Sequence, residues 1–296
     1  MALEELSNAL ADSVEHAAQS LVRVEARRRL PATGIVWSAD GLIVTAHHVV
    51  TRDEDITVGL PNGERVSADL VGRDPHTDLA ILRAHAEGLT AATWADLDAA
   101  RIGHIVLAVG RPGTSPQATL GIISALGDSW RAPSGGSIER YLQTDVVMYP
   151  GFSGGPLIDV NGHALGMNTS SLVRGVSVAL PGNTISRVAD TLVQHGRMRQ
   201  GYLGVGVQPV RLPEELQQEL DQETGLLIMN VAKGSPAAHA ELLMGDTIVT
   251  FDGMAVRQMD DLLSALSGDK IGTEVPVTII RGGEIREAAV TIGDKE

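Results

Sequence analysis

The 296-residue chain contains no cysteine, which excludes disulfides, zinc–thiolate centres and thiol catalysis. Aromatic residues make up only 3% of it, so its core must be built from Val, Ile, Leu and Ala. Basic side chains are in deficit: 23 Lys and Arg stand against 37 Asp and Glu, a formal charge of −14. Nucleic acids and anionic membranes demand concentrated positive charge, and the cluster Arg27-Arg28-Arg29 is too short to reverse the balance. No nucleic-acid partner is expected. No apolar run approaches the roughly 18–20 residues that span a bilayer. The acidic start, Met1-Ala2-Leu3-Glu4-Glu5-Leu6, has neither the basic and apolar regions nor the cleavage site of an export signal. As written, the chain reads as cytoplasmic.

What is present is hydrophobic content of 43%, charged content of 20% and 33 glycines, the profile of a globular chain with many turns. Leu3, Leu6, Leu10, Val14, Ala17 and Leu21 recur at spacings of three and four, which predicts an amphipathic helix over 3–25. From about 33 to 180 the pattern changes to short apolar stretches separated by turn pairs such as Asp40-Gly41, Asn62-Gly63 and Asn161-Gly162. Such spacing predicts an antiparallel barrel or sandwich. A helix follows over 185–193, with Asn183 as its expected cap and Gly196 as its stop. The polar stretch 196–201 reads as a domain boundary. Beyond it, strands are expected over 202–207, 226–231 and 247–251. Ser235-Pro236 should start a short helix, a second is expected over 260–266 with its stop near Gly268, and a closing hairpin ends the chain.

The most informative segment is Gly151-Phe152-Ser153-Gly154-Gly155-Pro156-Leu157. Glycines adopt backbone angles closed to other residues, so they can expose a serine hydroxyl and aim nearby N–H groups at one point. Serine is a weak nucleophile at neutral pH and needs a base oriented by an acid. Histidines stand side by side in Thr45-Ala46-His47-His48-Val49-Val50, and on a strand only one of them can face a given cleft. Asp78, in Asp74-Pro75-His76-Thr77-Asp78-Leu79-Ala80, lies at the mouth of an apolar strand where a carboxylate could sit half buried beside an imidazole.

Taken in chain order, the His47-His48, Asp78 and Ser153 segments resemble the signatures of the HtrA/DegP family of serine proteases. Ala179-Leu180-Pro181 and Gly201-Tyr202-Leu203-Gly204-Val205 extend the resemblance. Gly234-Ser235-Pro236-Ala237-Ala238 and Gly245-Asp246-Thr247-Ile248 resemble a PDZ domain, so the likeness covers residues 20–296. The fold it implies is mostly β: an N-terminal helical segment (1–30), a chymotrypsin-like double β-barrel (31–199) and a PDZ domain (200–296). It implies His48 as base, Asp78 as acid, Ser153 as nucleophile, and the N–H groups of Gly151 and Ser153 as the oxyanion hole. The implied PDZ peptide site is Tyr202, Leu203, Gly204 and Val205, with Leu262, Leu263 and Leu266 as further candidates that mostly face the core. An S1 pocket would form near 147–151 and from the 168–177 loop, favouring an aliphatic P1 residue. The implied activity is ATP-independent cleavage of unfolded or misfolded polypeptides, without metal or cofactor, in a homo-oligomer of three subunits or a multiple. By resemblance the site of action is extracytoplasmic if the chain has been trimmed.

Two departures stand out. Phe152 replaces the usual Asn before the nucleophile, leaving the N–H groups but altering how the loop would switch. Glu241 stands where glycine is common after the Pro-Ala-Ala helix, which questions a loop conformation. Two rival readings remain open. The same serine satisfies a G-x-S-x-G elbow with His195 or His239 downstream, although Gly154-Gly155-Pro156 opposes the helix that elbow needs. The other is a catalytically silent PDZ scaffold or holdase that binds peptide strands by β-augmentation.

Overall fold

The computed structural model describes residues 2–266 and 270–294, and the chain divides into two compact units, Met1–Met198 and Arg199–Glu296. Helix α1 (Ala2–Ala18) carries Glu4 and Glu5 in its first turn and His16 in its last, the order a helix dipole favours. Its apolar stripe is split in two. Leu10, Val14 and Ala17 pack on the barrel core, whereas Leu3 is 80% exposed. The Ser13 hydroxyl shares its proton between the Ala9 and Val160 carbonyls and ties the helix down.

The helix expected over 3–25 is therefore too long, because β1 (Leu21–Glu25) is already a barrel strand. Spacing of three and four runs on through Leu21, but Val22 and Val24 alternate and pair with Gly34 and Ala32 of β2 (Ala32–Val36). Branched side chains fit that pleated surface better than a helix. The first barrel thus begins inside the segment 1–30.

With β3 (Leu42–Ala46), β4 (Ile56–Gly59), β5 (Arg65–Asp74) and β6 (Leu79–Ala84), it closes in the order β1-β2-β3-β6-β5-β4. The second barrel uses β7 (Ile105–Gly110) and β8 (Gln117–Gly127), then a ribbon of β9 (Trp130–Arg131) and β10 (Ser137–Ile138). It continues with β11 (Tyr141–Thr144), β12 (Pro156–Ile158), β13 (Ala164–Thr169) and β14 (Ser177–Pro181), closing as β11-β14-β13-β12-β7-β8. Closure leaves neither barrel a free edge, and the double-barrel expectation holds. Helix α2 (Gly182–His195) buries Ile185, Val188, Ala189 and Leu192 in the core of the first barrel. Gly196 stops it at φ +70° as expected. It starts earlier than expected, at Gly182 after Pro181, and Asn183 lies inside it rather than capping it.

In the second unit, β15 (Gly201–Tyr202) pairs with β22 (Gly293–Asp294). A sheet runs β16 (Val205–Arg211), β17 (Thr224–Val231), β18 (Thr247–Phe251), β20 (Glu274–Arg281) and β21 (Glu284–Thr291), with β19 (Met254–Ala255) beside β18. The strand expected over 202–207 is in fact two, broken at Gly204, whose φ is +82°. Helix α3 (Glu214–Leu220) was not anticipated; α4 (Pro236–His239) and α5 (Met259–Ala265) were. Ser235 caps α4 by accepting the Ala238 N–H at 3.2 Å. The stop expected for α5 at Gly268 lies outside the described residues.

Glu241 adopts φ +55°, the left-handed geometry that a glycine would hold without strain. Arg281 braces it by donating to the Glu241 carbonyl at 2.8 Å while pairing with buried Asp246 at 2.7 Å. That conformation costs a non-glycine residue about 1–2 kcal/mol, partly offset by the greater unfolded freedom of glycine, about 0.4–1 kcal/mol. Glu241→Gly is therefore expected to stabilise this unit by up to about 1 kcal/mol, read by calorimetry as a higher melting temperature. A lower one would contradict the strain argument.

Candidate active site

The expected acid, Asp78, and the expected base, His48, are brought together by two short turns. After β3 the chain makes one 3-10 turn, His47–Val49, so the two histidines are not on a strand as expected. The His48 backbone N–H donates to Asp78 Oδ1 at 2.9 Å, and His48 Nδ1 stands 2.8 Å from Asp78 Oδ2. The His47 N–H donates to the Asp78 carbonyl, but its ring Nδ1 is buried with no partner among the described residues. Burial pushes the His47 pKa down and favours the neutral ring.

Asp78 itself has φ +59°, a left-handed conformation that Asp tolerates better than most residues. Upstream, buried Asp74 accepts the His76 N–H at 3.0 Å and the Thr77 hydroxyl at 2.6 Å, which folds the 74–78 stretch into a self-bonded turn. Burial alone would raise the Asp78 pKa. The His48 ring and the hydroxyls of Thr169 and Ser171 outweigh it and hold the carboxyl below the usual carboxylate range.

Ser153 sits in the turn between β11 and β12, and glycines are needed there for identifiable reasons. Gly154 has φ +88°, and a side chain on it would collide with the Thr33 carbonyl and the Thr45 hydroxyl. Gly151 has φ +93° and lies against Pro112 and the Pro31 carbonyl. The Phe152 N–H donates to Tyr149 and the Gly154 N–H to Asn168. Between them, the N–H groups of Gly151 and Ser153 meet no acceptor among the described residues. The Ser153 hydroxyl lies 3.2 Å from Ser170 Oγ, and no hydrogen bond joins it to His48.

Phe152, beside Ser153, is fully buried in the second barrel. Its ring packs edge-on to Tyr149 at 5.8 Å and covers Gly110, where a side chain would collide with it. Of the segments expected near S1, Val147 and Tyr149 are exposed, as are Ser170 and Ser171, while Asn168 and Thr169 are buried. Sequence reasoning missed the contacts of Thr33, Thr45, Thr169 and Ser170 around His48, Asp78 and Ser153. Only a polar residue inside an all-buried strand could have marked Thr33.

The elbow reading fails on geometry. Pro156 opens strand β12, where a nucleophile elbow needs a helix. His195 ends α2, and His239 lies in the second unit. A further Ser–His–Asp row does exist: Ser67 Oγ is 2.9 Å from His85 Nδ1, and His85 Nε2 is 2.8 Å from Asp69. All three residues are exposed and the carboxylate is solvated, so residue types at hydrogen-bond distance do not by themselves make a catalytic site.

In the second unit, Leu203 is buried and its carbonyl accepts the Ala237 N–H, while the Gly204 carbonyl accepts the Ala232 N–H. Tyr202 ends β15 and Val205 opens β16, an edge strand whose one neighbour is β17. Leu262 and Leu266 belong to the core, leaving Leu263 as the exposed one of the three. An edge strand has unpaired backbone groups able to accept another strand.

The family described as trypsin-like peptidase domain matches residues 32–167, and the PDZ domain family matches 201–292. A Chlamydia trachomatis protein named probable periplasmic serine endoprotease DegP-like is 37% identical over 276 residues, covering 91% of this chain and 55% of its own. One of the same name from Halomonas elongata is 36% identical over 273 residues, covering 90% and 57%. The chain thus spans about half the length of the curated relatives it matches. Among solved structures, HtrA-type protease AlgW with a tripeptide aligns at TM-score 0.76 and 30% identity over 97% of each chain. The serine endoprotease from Yersinia pestis aligns at 0.79 and 29%, over 97% of this chain and 98% of that one. With both domain families, the double barrel and these relatives in agreement, the chain belongs to the HtrA/DegP family of serine endoproteases.

Proposed function

We propose that the chain is an ATP-independent serine endopeptidase that cleaves unfolded or misfolded polypeptides, with its PDZ domain binding their C-terminal ends. The observation that carries this reading is the His48–Asp78 pair, bonded at 2.8 Å in the same unit as a glycine-framed Ser153, with the N–H groups of Gly151 and Ser153 meeting no acceptor among the described residues. For attack, the Ser153 hydroxyl must exchange Ser170 for His48 Nε2, and such contacts commonly tighten only when substrate binds. His48 then takes the hydroxyl proton as Ser153 attacks the peptide carbonyl, and returns it to the leaving amine. Asp78 keeps Nδ1 protonated and stabilises the imidazolium. The N–H groups of Gly151 and Ser153 receive the oxyanion, each contributing about 3 kcal/mol.

A peptide would add beside β16, its carboxylate meeting the loop of Tyr202, Leu203, Gly204 and Val205. The exposed half of the α1 stripe is a surface for assembly into a trimer or a multiple of it. Relatives named periplasmic support an extracytoplasmic site of action. The test is active-site capture. A fluorophosphonate should label the full chain at Ser153, since only an activated hydroxyl reacts; no adduct, even with peptide ligand added, would refute the reading.

A further inference from the structure

Strand β2, Ala32-Thr33-Gly34-Ile35-Val36, is buried at all five positions, and Thr33 is its one polar side chain. A hydroxyl in such a place costs free energy unless it is bonded. Here every polar group of Thr33 is used, and three of its bonds cross to the other barrel. Its hydroxyl accepts the Arg111 N–H at 2.7 Å and donates to the Gly151 carbonyl at 2.7 Å. Its own N–H donates to the Ser153 carbonyl at 3.3 Å, and its carbonyl accepts the Thr45 hydroxyl at 2.7 Å.

We infer that Thr33 is a positioning residue of the first barrel that fixes the oxyanion loop of the second. The inference rests on the proposed roles of Gly151 and Ser153. Glycine rotates freely, so the freedom that lets Gly151 reach φ +93° would equally let it leave. The Phe152 and Gly154 N–H bonds hold the loop from its own barrel. Thr33 holds the carbonyls of the two residues whose N–H groups stay unpaired. A rotation of the Gly151–Phe152 peptide must break the Thr33 bond at its carbonyl and the Tyr149 bond at its N–H, and the adjoining Pro150–Gly151 peptide, which carries the Gly151 N–H, is anchored through it. Thr33 thereby spends its bonds on the carbonyl side and leaves the donor side open for substrate.

The test compares the full wild-type chain with Thr33→Val, Thr33→Ala and Thr33→Ser. Fluorescein-labelled casein reports turnover, and a fluorophosphonate reports both the number of reactive sites at long times and their rate of labelling. Thr33→Ala removes the hydroxyl without placing a methyl against the Arg111 nitrogen, so it controls for misfolding of the valine variant. Both are expected to lose about 100-fold in kcat and labelling rate per folded site, because small displacements at a reacting centre carry penalties of that size. KM should change little, and Thr33→Ser should restore both rates. A merely structural threonine would lower the number of labelled sites while each turned over at the wild-type rate, and that result overturns the inference. A Thr33→Ser variant as impaired as Thr33→Ala overturns it too. If the wild type itself is not labelled at Ser153, the proposed function fails and the inference falls with it, a result visible before any variant is made.

Discussion

Ser153→Ala is expected to lower the cleavage of unfolded casein by about 10⁴- to 10⁶-fold while leaving the protein folded, the scale seen when a triad nucleophile is removed. The two halves of that expectation have separate causes. Activity is lost because the hydroxyl proposed to form the acyl intermediate is gone. The fold is kept because, among the described residues, the hydroxyl makes one hydrogen bond, to Ser170 at 3.2 Å. Removing a single neutral bond of this kind changes stability by about 1 kcal/mol. The loop's shape is set instead by backbone bonds from Phe152, Gly154 and Gly155, which alanine does not touch. Circular dichroism and the melting temperature should match the wild type. Undiminished cleavage by the variant would sink the mechanism, and would redirect attention to another nucleophile.

Asp78→Asn is expected to lower kcat by about 10⁴-fold with little change in KM, the consequence of a wrong histidine tautomer. Asp78 Oδ1 accepts the His48 backbone N–H, while Oδ2 faces His48 Nδ1 and the Thr169 hydroxyl. An asparagine that keeps its oxygen toward the backbone N–H must turn its NH₂ toward Nδ1. Nδ1 then accepts, the ring proton moves to Nε2, and His48 cannot take the proton of Ser153. The left-handed backbone at φ +59° suits Asn as well as Asp, so the turn itself should survive.

Acid acts on the same group in a definite direction. The folded Asp78 pKa lies below its unfolded value, so the charged carboxylate favours the folded state. That contribution is fully present above about pH 4, where the unfolded carboxyl is ionised, and is lost as pH falls through the lower folded value. Above that window the acid limb of activity is therefore not set by Asp78. A kcat profile of the wild type that tracked protonation of Asp78 near neutrality would contradict this assignment.

The legibility of these residues follows the range of the interactions that place them. Ser153, His48 and Asp78 each lie in a stretch whose local chemistry is unusual. Ser153 is framed by glycines at φ +93° and +88°, and Asp78 ends a turn bonded within itself through Asp74. Phe152 was legible as a departure, but its place in the barrel core over Gly110 was not. Errors arose where one local pattern served two structures. The leucine spacing of α1 runs into β1, and only pairing of Val22 and Val24 with a distant strand ends the helix. The strand expected over 202–207 hid a left-handed glycine.

The sequence by itself determined the two-unit organisation and a barrel or sandwich of short strands, because periodicity, turn pairs and glycine placement are encoded within a few neighbours. The double barrel and the choice of His48, Asp78 and Ser153 came from the family resemblance of the motifs that carry them. Only the tertiary structure decided what touches them. Ser170 rather than His48 holds the Ser153 hydroxyl, Thr169 buttresses Asp78 from 91 positions away, and Thr33 reaches Gly151 across 118. Such contacts arise where two closed barrels pack against each other and every buried donor must find an acceptor. No short stretch of chain carries that information.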